Sequence, residues 1–241
     1  MPKIRGRKIF KAAILLVLSA FVLGIGYSLL VPNISRLRTE VPNKTAFMKY
    51  RRSNSGRMGD TYHIDYKWVP FDSISPYLRH AVVIAEDDKF WSHSGFDLEA
   101  IKLAMEKNIQ RNSWRHGGST ITQQLAKNLY LSPSRSPVRK LRECVLTWRL
   151  ERSLSKKRIL ELYLNVVEWG NGIFGAEAAS RHYYGKSAAA LNPREAAHLA
   201  IVLPSPRRYN PLSRSTFIES RAEAVLEVMI KRGIVPAEEE E

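Results

Sequence analysis

Residues 12–31 read AAILLVLSAFVLGIGYSLLV, twenty positions without one charged side chain. At 1.5 Å of rise per residue such a helix matches the ~30 Å hydrocarbon layer of a bilayer. No face of it carries a charge, so a transmembrane helix is expected rather than a helix of a soluble core. Residues 1–11 precede it with Lys3, Arg5, Arg7, Lys8 and Lys11 and no acid. A basic leader of this kind stays in the cytoplasm and sends the following chain across the membrane. A secretory signal peptide is the rival reading, but its apolar core is usually shorter, and no small-x-small cleavage pattern follows Val31.

After the anchor the pattern weakens. Residues 32–69 read as a membrane-proximal linker or the start of a domain, polar at first and interrupted by Pro32, Pro42, Gly56 and Gly59. Tyr62, Ile64, Tyr66 and Trp68 then alternate at period two, which predicts a short strand. Beyond Pro70 the spacing becomes helical and predicts a mainly α domain over residues 70–235, with several marked boundaries. Asp97 caps a stretch bearing Ile101, Ala104, Met105 and Ile109, and Ser136 precedes Pro137 at a first helical position. Asn192, Pro193 and Glu195 form a capping box, and Gly233 after Arg232 marks a helix end. Residues 236–241 make an acidic, solvated tail.

Composition narrows the classes. Hydrophobic residues are 44% and charged residues 25%, the balance of a folded chain. One cysteine excludes a disulfide framework or a multi-thiolate zinc site within the chain. Cys144 lies among apolar helical residues and reads as core. The net charge is +15, and +10 without the five leader cations. An exported domain meets little nucleic acid, so the charge points to lipid headgroups or a lipid-linked phosphate.

Three segments carry candidate chemistry. Glu86, Asp87 and Asp88 follow the apolar run of residues 81–85, and Glu86 lies four residues after Val82, so it borders the apolar helical face. A carboxylate beside apolar surface has the raised pKa that proton transfer needs, although a solvated helix end reads the same way. Residues 117–128 read GGSTITQQLAKN. Two glycines before Ser119 and Thr120 suit a loop feeding a helix N-terminus that can face an anion. Ser119, Gln123 and Lys127 share one helical face, while Ile121, Leu125 and Leu129 share another. Arg135, Arg139, Lys140 and Arg142 then surround the single acid Glu143, a density that suits a diphosphate better than one helical ion pair does.

Other signals fail. The S-x-x-K of Ser153 and Lys156 lacks the S-D-N and K-T-G that accompany it in penicillin-binding acyl enzymes. The histidines show no metal spacing, and no phosphate-binding or dinucleotide loop is present.

In order and spacing the segments resemble the peptidoglycan glycosyltransferases, or transglycosylases, of bacterial cell-wall synthesis. The family's E-D-x-x-F-x-x-H-x-G-x-D is met by Glu86, Asp87, Phe90, His93, Gly95 and Asp97. Its G-x-S-T-I-T-Q-Q-x-x-K-N runs from Gly117 to Asn128 without a mismatch. Its R-K-x-x-E is Arg139, Lys140 and Glu143, and its K-x-x-I-L-E-x-Y-L-N runs from Lys156 to Asn165. The resemblance covers about residues 70–210 and leaves no room for the transpeptidase domain of bifunctional relatives, so a monofunctional biosynthetic enzyme is expected. One departure is Arg142, where some relatives carry Lys; the charge is kept but the contact geometry changes.

The resemblance implies a lysozyme-like, two-lobed fold with a membrane-associated jaw behind the N-terminal transmembrane helix. It implies polymerisation of lipid II into β-1,4-linked glycan with inversion and release of undecaprenyl diphosphate on the outer side of the bacterial cytoplasmic membrane. Cell-wall synthesis or division proteins are further expected partners, and nucleic acid is not. Glu86 would be the base and Asp87 would tune it. Lys127 and Arg135 would lie closest to the diphosphate, with Arg139, Lys140 and Arg142 beside them, and Ser119, Gln123 and Gln124 would hydrogen-bond the donor. Glu143 would position these cations, contact substrate or hold a divalent metal (Mg or Mn); no cofactor is otherwise required. Glu161 is expected to support the fold. The rivals are a lysozyme-like lytic enzyme, with Glu86 as an acid, and a non-enzymatic cell-wall scaffold.

Overall fold

The computed structural model describes residues 3–30, 32–55, 62–110, 117–134 and 136–236, with side chains of the first helix described at 11–24 and 26. The tail from residue 237, Arg135 and residues 111–116 lie outside the described residues. The fold is mainly helical, as the spacing predicts. Its helices are α1 (Lys3–Leu30), α2 (Ala46–Ser55), α3 (Pro76–Glu86), α4 (Leu98–Gln110), α5 (Ile121–Tyr130), α6 (Pro137–Ser153), α7 (Lys156–Val166), α8 (Ala176–Tyr184), α9 (Pro193–Val202) and α10 (Thr216–Lys231).

Helix α1 runs through the uncharged stretch, and its described side chains from 11 to 24 are all exposed, apolar ones included. Among the described residues no helix is long and apolar enough to cross a membrane. The stretch after α1 is folded onto the rest of the chain rather than left free: Ile34 and Leu37, in a 3-10 turn, join the core, and α2 packs on α5.

The core centres on α7, where Ile159, Leu160, Leu162, Tyr163 and Leu164 are wholly buried against residues such as Leu78, Ile121, Leu125 and Trp169. Helices α5, α6 and α8 pack on it, and α9 and α10 pack along α3. Burial of this many large side chains, each contributing about 1.5–3 kcal/mol, fixes how these helices lie. Polar groups on α7 do structural work too. Asn165 accepts from the Val69 N–H at 3.0 Å and donates to its carbonyl at 2.9 Å. Glu161 accepts from the Phe71 N–H at 2.9 Å and pairs with Arg158, a role in the fold as expected.

The expected strand at Tyr62–Trp68 shrinks to β1 (Asp65–Tyr66), which pairs in parallel with β3 (Ile173–Phe174). β3 also pairs antiparallel with β2 (Glu168–Gly170), giving the order β1-β3-β2. This hairpin interrupts the helical reading of the region beyond Pro70. The marked helix boundaries are found where the sequence puts them. Asp97 accepts from the Ala100 N–H, Ser136 from the Arg139 N–H, and Asn192 with Glu195 forms a capping box. Gly233 takes a φ of +68° after α10.

Candidate active site

Helix α3 buries its apolar face, Leu78, Ala81, Val82 and Val83, in the core and ends at Glu86, where Asp87 leaves the helical conformation with φ −163° and ψ 72°. Glu86 borders that face as expected and is half-buried at the wall of a cavity of about 250 Å³. Burial raises the pKa of its carboxyl; a hydrogen bond from Gln124 and the charge of Lys127 oppose that shift, and Asp87 adds to it. The Gln124 Nε2 donates to Glu86 Oε2 at 2.6 Å, and the Tyr163 hydroxyl donates to Gln124 Oε1 at 3.0 Å.

Asp87 is turned into the protein. It bonds His93 at 2.8 Å and accepts from the Ile121 N–H at 2.9 Å, so it holds the N-terminus of α5 against the end of α3. A second tie runs from the Thr120 hydroxyl to the Gly95 carbonyl at 2.8 Å. Gly95 has a φ of +92°, and a Cβ there would meet Thr147 Cγ2 at 2.8 Å, so this loop needs glycine. Asp88 is exposed and takes both terminal nitrogens of Arg232, at the end of α10, at 2.7 and 2.9 Å.

The first cavity is lined by Glu86–Lys89, by Asp97, Glu99, Ala100 and Leu103 around α4, and by residues 117–120. Gly118 lies so close to α4 that a Cβ would sit 2.9 Å from Ile101 Cα. Its role is thus close backbone approach, which the sequence reading of a loop feeding a helix N-terminus does not contain.

The polar face expected on α5 separates in the structure. Ser119 is exposed ahead of the helix and accepts from Lys140 Nζ at 3.3 Å. Gln123 is buried and folds back: its Oε1 accepts from the Thr120 N–H while Thr120 Oγ1 accepts from the Gln123 N–H, a capping box. Lys127 is half-buried. Burial lowers its pKa most, Glu143 and Glu86 raise it, and Arg139 and Lys140 lower it. It makes no direct ion pair among the described residues, so its charge is held between the carboxylate of Glu86 and the cations of α6.

On α6, buried Glu143 accepts from Arg139 Nη1 at 2.6 Å on one oxygen and from Lys140 on the other. Arg139 Nε is buried with no hydrogen-bond partner among the described residues. Arg142 is half-buried on the same helix. With both carboxylate oxygens occupied by cations, Glu143 is the partner of Arg139 and Lys140, and its surroundings do not fit a dication. No cluster of three metal-ligating side chains occurs among the described residues. Cys144 is half-buried rather than core.

A second cavity, of about 340 Å³, opens on the other side of Gln124 and Lys127, lined also by Phe47, Arg51, Glu168 and residues 203–208. Arg51 donates to Glu168 at 2.6 Å, while Arg207 and Arg208 are exposed at the rim. These three cations are functional candidates that sequence reasoning misses. Paired arginines at 51–52 and 207–208 were the available signal, but only the fold brings them to Lys127.

Comparison with known proteins adds to this geometry. A family model described as Transglycosylase matches residues 55–230. The chain is similar to the biosynthetic peptidoglycan transglycosylase of Azoarcus sp. (strain BH72), 51% identical over 193 residues, or 80% of this chain and 84% of that one. It is similar to proteins of the same description from Dechloromonas aromatica (strain RCB), 52% identical over 70% of this chain and 73% of that one, and Nitrosospira multiformis, 46% identical over 80% and 84%.

Proposed function

The chain belongs to the transglycosylase family and is a peptidoglycan glycosyltransferase; from that premise we propose that it polymerises lipid II with Glu86 as general base. The 4-hydroxyl of the acceptor's terminal GlcNAc attacks the anomeric carbon of a MurNAc that is α-linked to undecaprenyl diphosphate. Glu86 takes the hydroxyl proton, the C–O bond to the diphosphate breaks, and the diphosphate leaves with the bonding electrons. The new bond is β-1,4, so the centre inverts.

The observation that carries this reading is the half-buried ammonium of Lys127, which makes no direct ion pair among the described residues and lies within the charge influence of Glu143, Arg139, Glu86 and Lys140. A proton acceptor and a preorganised receiver for negative charge thus adjoin, which is what this displacement needs. The first cavity holds Asp88, Asp97 and Glu99 beside the single cation Lys89, a poorer setting for phosphate than the second, so it suits the acceptor sugar, whose hydroxyl then meets Glu86. Lys127, Arg51, Arg207 and Arg208 suit the second cavity to the donor's diphosphate side. Arg139 Nε is a further donor with no hydrogen-bond partner among the described residues. Diphosphate leaves as a stable anion, so no acid is needed at the leaving oxygen.

The same reading makes residues 1–11 a cytoplasmic leader, 12–31 a transmembrane anchor, 32–69 a membrane-proximal segment and 70–235 a lysozyme-like, two-lobed catalytic domain outside the cytoplasmic membrane. The uncharged sequence and the exposed apolar side chains of α1 support the anchor. Holding enzyme and polyprenyl substrates in one bilayer raises their effective concentration.

A lytic reading has one observation in its favour, because a carboxyl with a raised pKa also suits an acid that protonates a sugar oxygen. Such an enzyme has no use for the cations around Lys127. Purified lipid II and finished peptidoglycan, supplied separately to the full-length protein, distinguish the two. Polymer from the first is expected, and muropeptides from the second would favour lysis. Glu86→Gln is expected to slow polymerisation by about 10²–10⁴-fold with an unchanged circular dichroism spectrum. Polymerisation near the wild-type rate would remove Glu86 from the role of base.

A further inference from the structure

Glu86, Gln124 and Tyr163 come from three helices and form one hydrogen-bonded chain. Gln124 can face Glu86 with either end of its amide, N–H or C=O. An ionised carboxylate only accepts, so it requires the N–H. At the other end stands the phenol of Tyr163, wholly buried. We infer that Tyr163 is a positioning residue for Glu86, acting through Gln124: its hydroxyl holds the amide oxygen, and so keeps the amide N–H on the carboxylate. The inference rests on Glu86 being the base.

The chemistry of the alternative shows why the phenol matters. If the amide flips, its oxygen faces Glu86 and is tolerated only when Glu86 is protonated and can donate. The flipped amide N–H₂ then faces the phenol oxygen, and the phenol proton is left without its acceptor in a buried site, which is unfavourable. Tyr163 therefore disfavours the orientation that goes with protonated Glu86. Burial, with the charges of Glu86 and Asp87, keeps the phenol's pKa well above its ordinary value, so it remains a donor while Glu86 titrates.

Other groups around Glu86 are accounted for. Lys127 of α5 favours its charged form and Asp87 opposes it. Asp87 is itself engaged by His93 and the α5 N-terminus. Across the cavity Lys89 pairs with Glu99, and Asp97 caps α4. From α9 and α10, packed along α3, His198 bonds Glu219 and Arg232 bonds Asp88.

The test is Tyr163→Phe in the full-length chain, with two readouts. One is the pH profile of lipid II polymerisation. The other is the titration of the Glu86 carboxyl by ¹³C NMR without substrate, its resonance assigned by its loss in Glu86→Gln. Losing the lock favours the protonated form, so the carboxyl is expected to titrate at higher pH than in the wild type. Activity relative to wild type is expected to fall about tenfold on the acidic side and to recover as pH rises. A loss equal at every pH with an unmoved carboxyl titration would overturn the inference, because that is what a packing defect gives.

Gln124→Met provides a second variant. It should raise the Glu86 titration by itself, and adding Tyr163→Phe should move it no further. An undiminished shift from Tyr163→Phe in that background would also overturn the inference. Should Tyr163→Phe not fold, an unmoved titration in Gln124→Met alone would do so. Failure of the underlying reading looks different: Glu86→Gln would still polymerise lipid II, whatever the carboxyl titration does.

Discussion

Helices α4 and α5 follow one another in the chain, and α4 and the residues just ahead of α5 line the first cavity, yet the two helices are held in opposite ways. Seven of the ten residues of α5 are buried, and the helix packs on α2, α6 and α7. In α4, thirteen residues long, Asn108 is the one buried residue among those described, while Leu98, Leu103, Met105 and Ile109 are exposed. Its ties include its Asp97 cap, the Lys89–Glu99 pair and the close approach of Gly118. An amphipathic sequence alone therefore does not say which helix joins the core. The carboxylate and its orienting amide sit on the well-packed side, where rotamers are fixed, and the opposite wall of the cavity is left to a helix with few buried apolar contacts, the kind of element that opens at low free-energy cost.

That contrast can be broken from either side. The largest effect is expected from Leu125→Ala on α5, a wholly buried side chain, at a loss of about 2–5 kcal/mol in a denaturant melt. Gly118→Ala should come next. The added methyl meets backbone atoms of Ile101 and Ala100 at 2.9–3.1 Å, which cannot swing aside as a side chain can. A loss of about 1–3 kcal/mol is expected, with faster hydrogen exchange at the amides of α4 than at those of α5. The smallest effect belongs to α4 itself. Met105→Gln with Ile109→Gln should change stability by less than about 0.5 kcal/mol in the same melt. A larger loss would mean that these side chains are covered in the protein as measured, and the contrast would fail.

Local signals were the legible ones. Caps at Asp97, Ser136 and Asn192 depend on a few neighbouring residues, and each is where the sequence puts it. Glu86 was legible because its spacing from Val82 puts it beside apolar surface whatever the tertiary fold. The spacing that groups Ser119, Gln123 and Lys127 on one face fails because Thr120 starts the helix and takes Gln123 into its cap; the T-x-x-Q pattern of a capping box was present in the sequence. The β2–β3 hairpin had a signal in Asn171–Gly172, lost beneath the helical spacing on either side. The paired arginines at 51–52 and 207–208 gave no hint of a shared place, and the Tyr163–Gln124 contact had no signal at all, since both depend on segments up to 156 positions apart meeting in space. Arg135 lies outside the described residues, so its expected place beside Lys127 stays with the resemblance.

The fork between Arg232 and Asp88 joins the end of α10 to a residue two positions beyond Glu86. The last helix is thereby clipped to the segment that follows Glu86 by an exposed pair worth at most about 1 kcal/mol, a fastening that salt can loosen without touching the core.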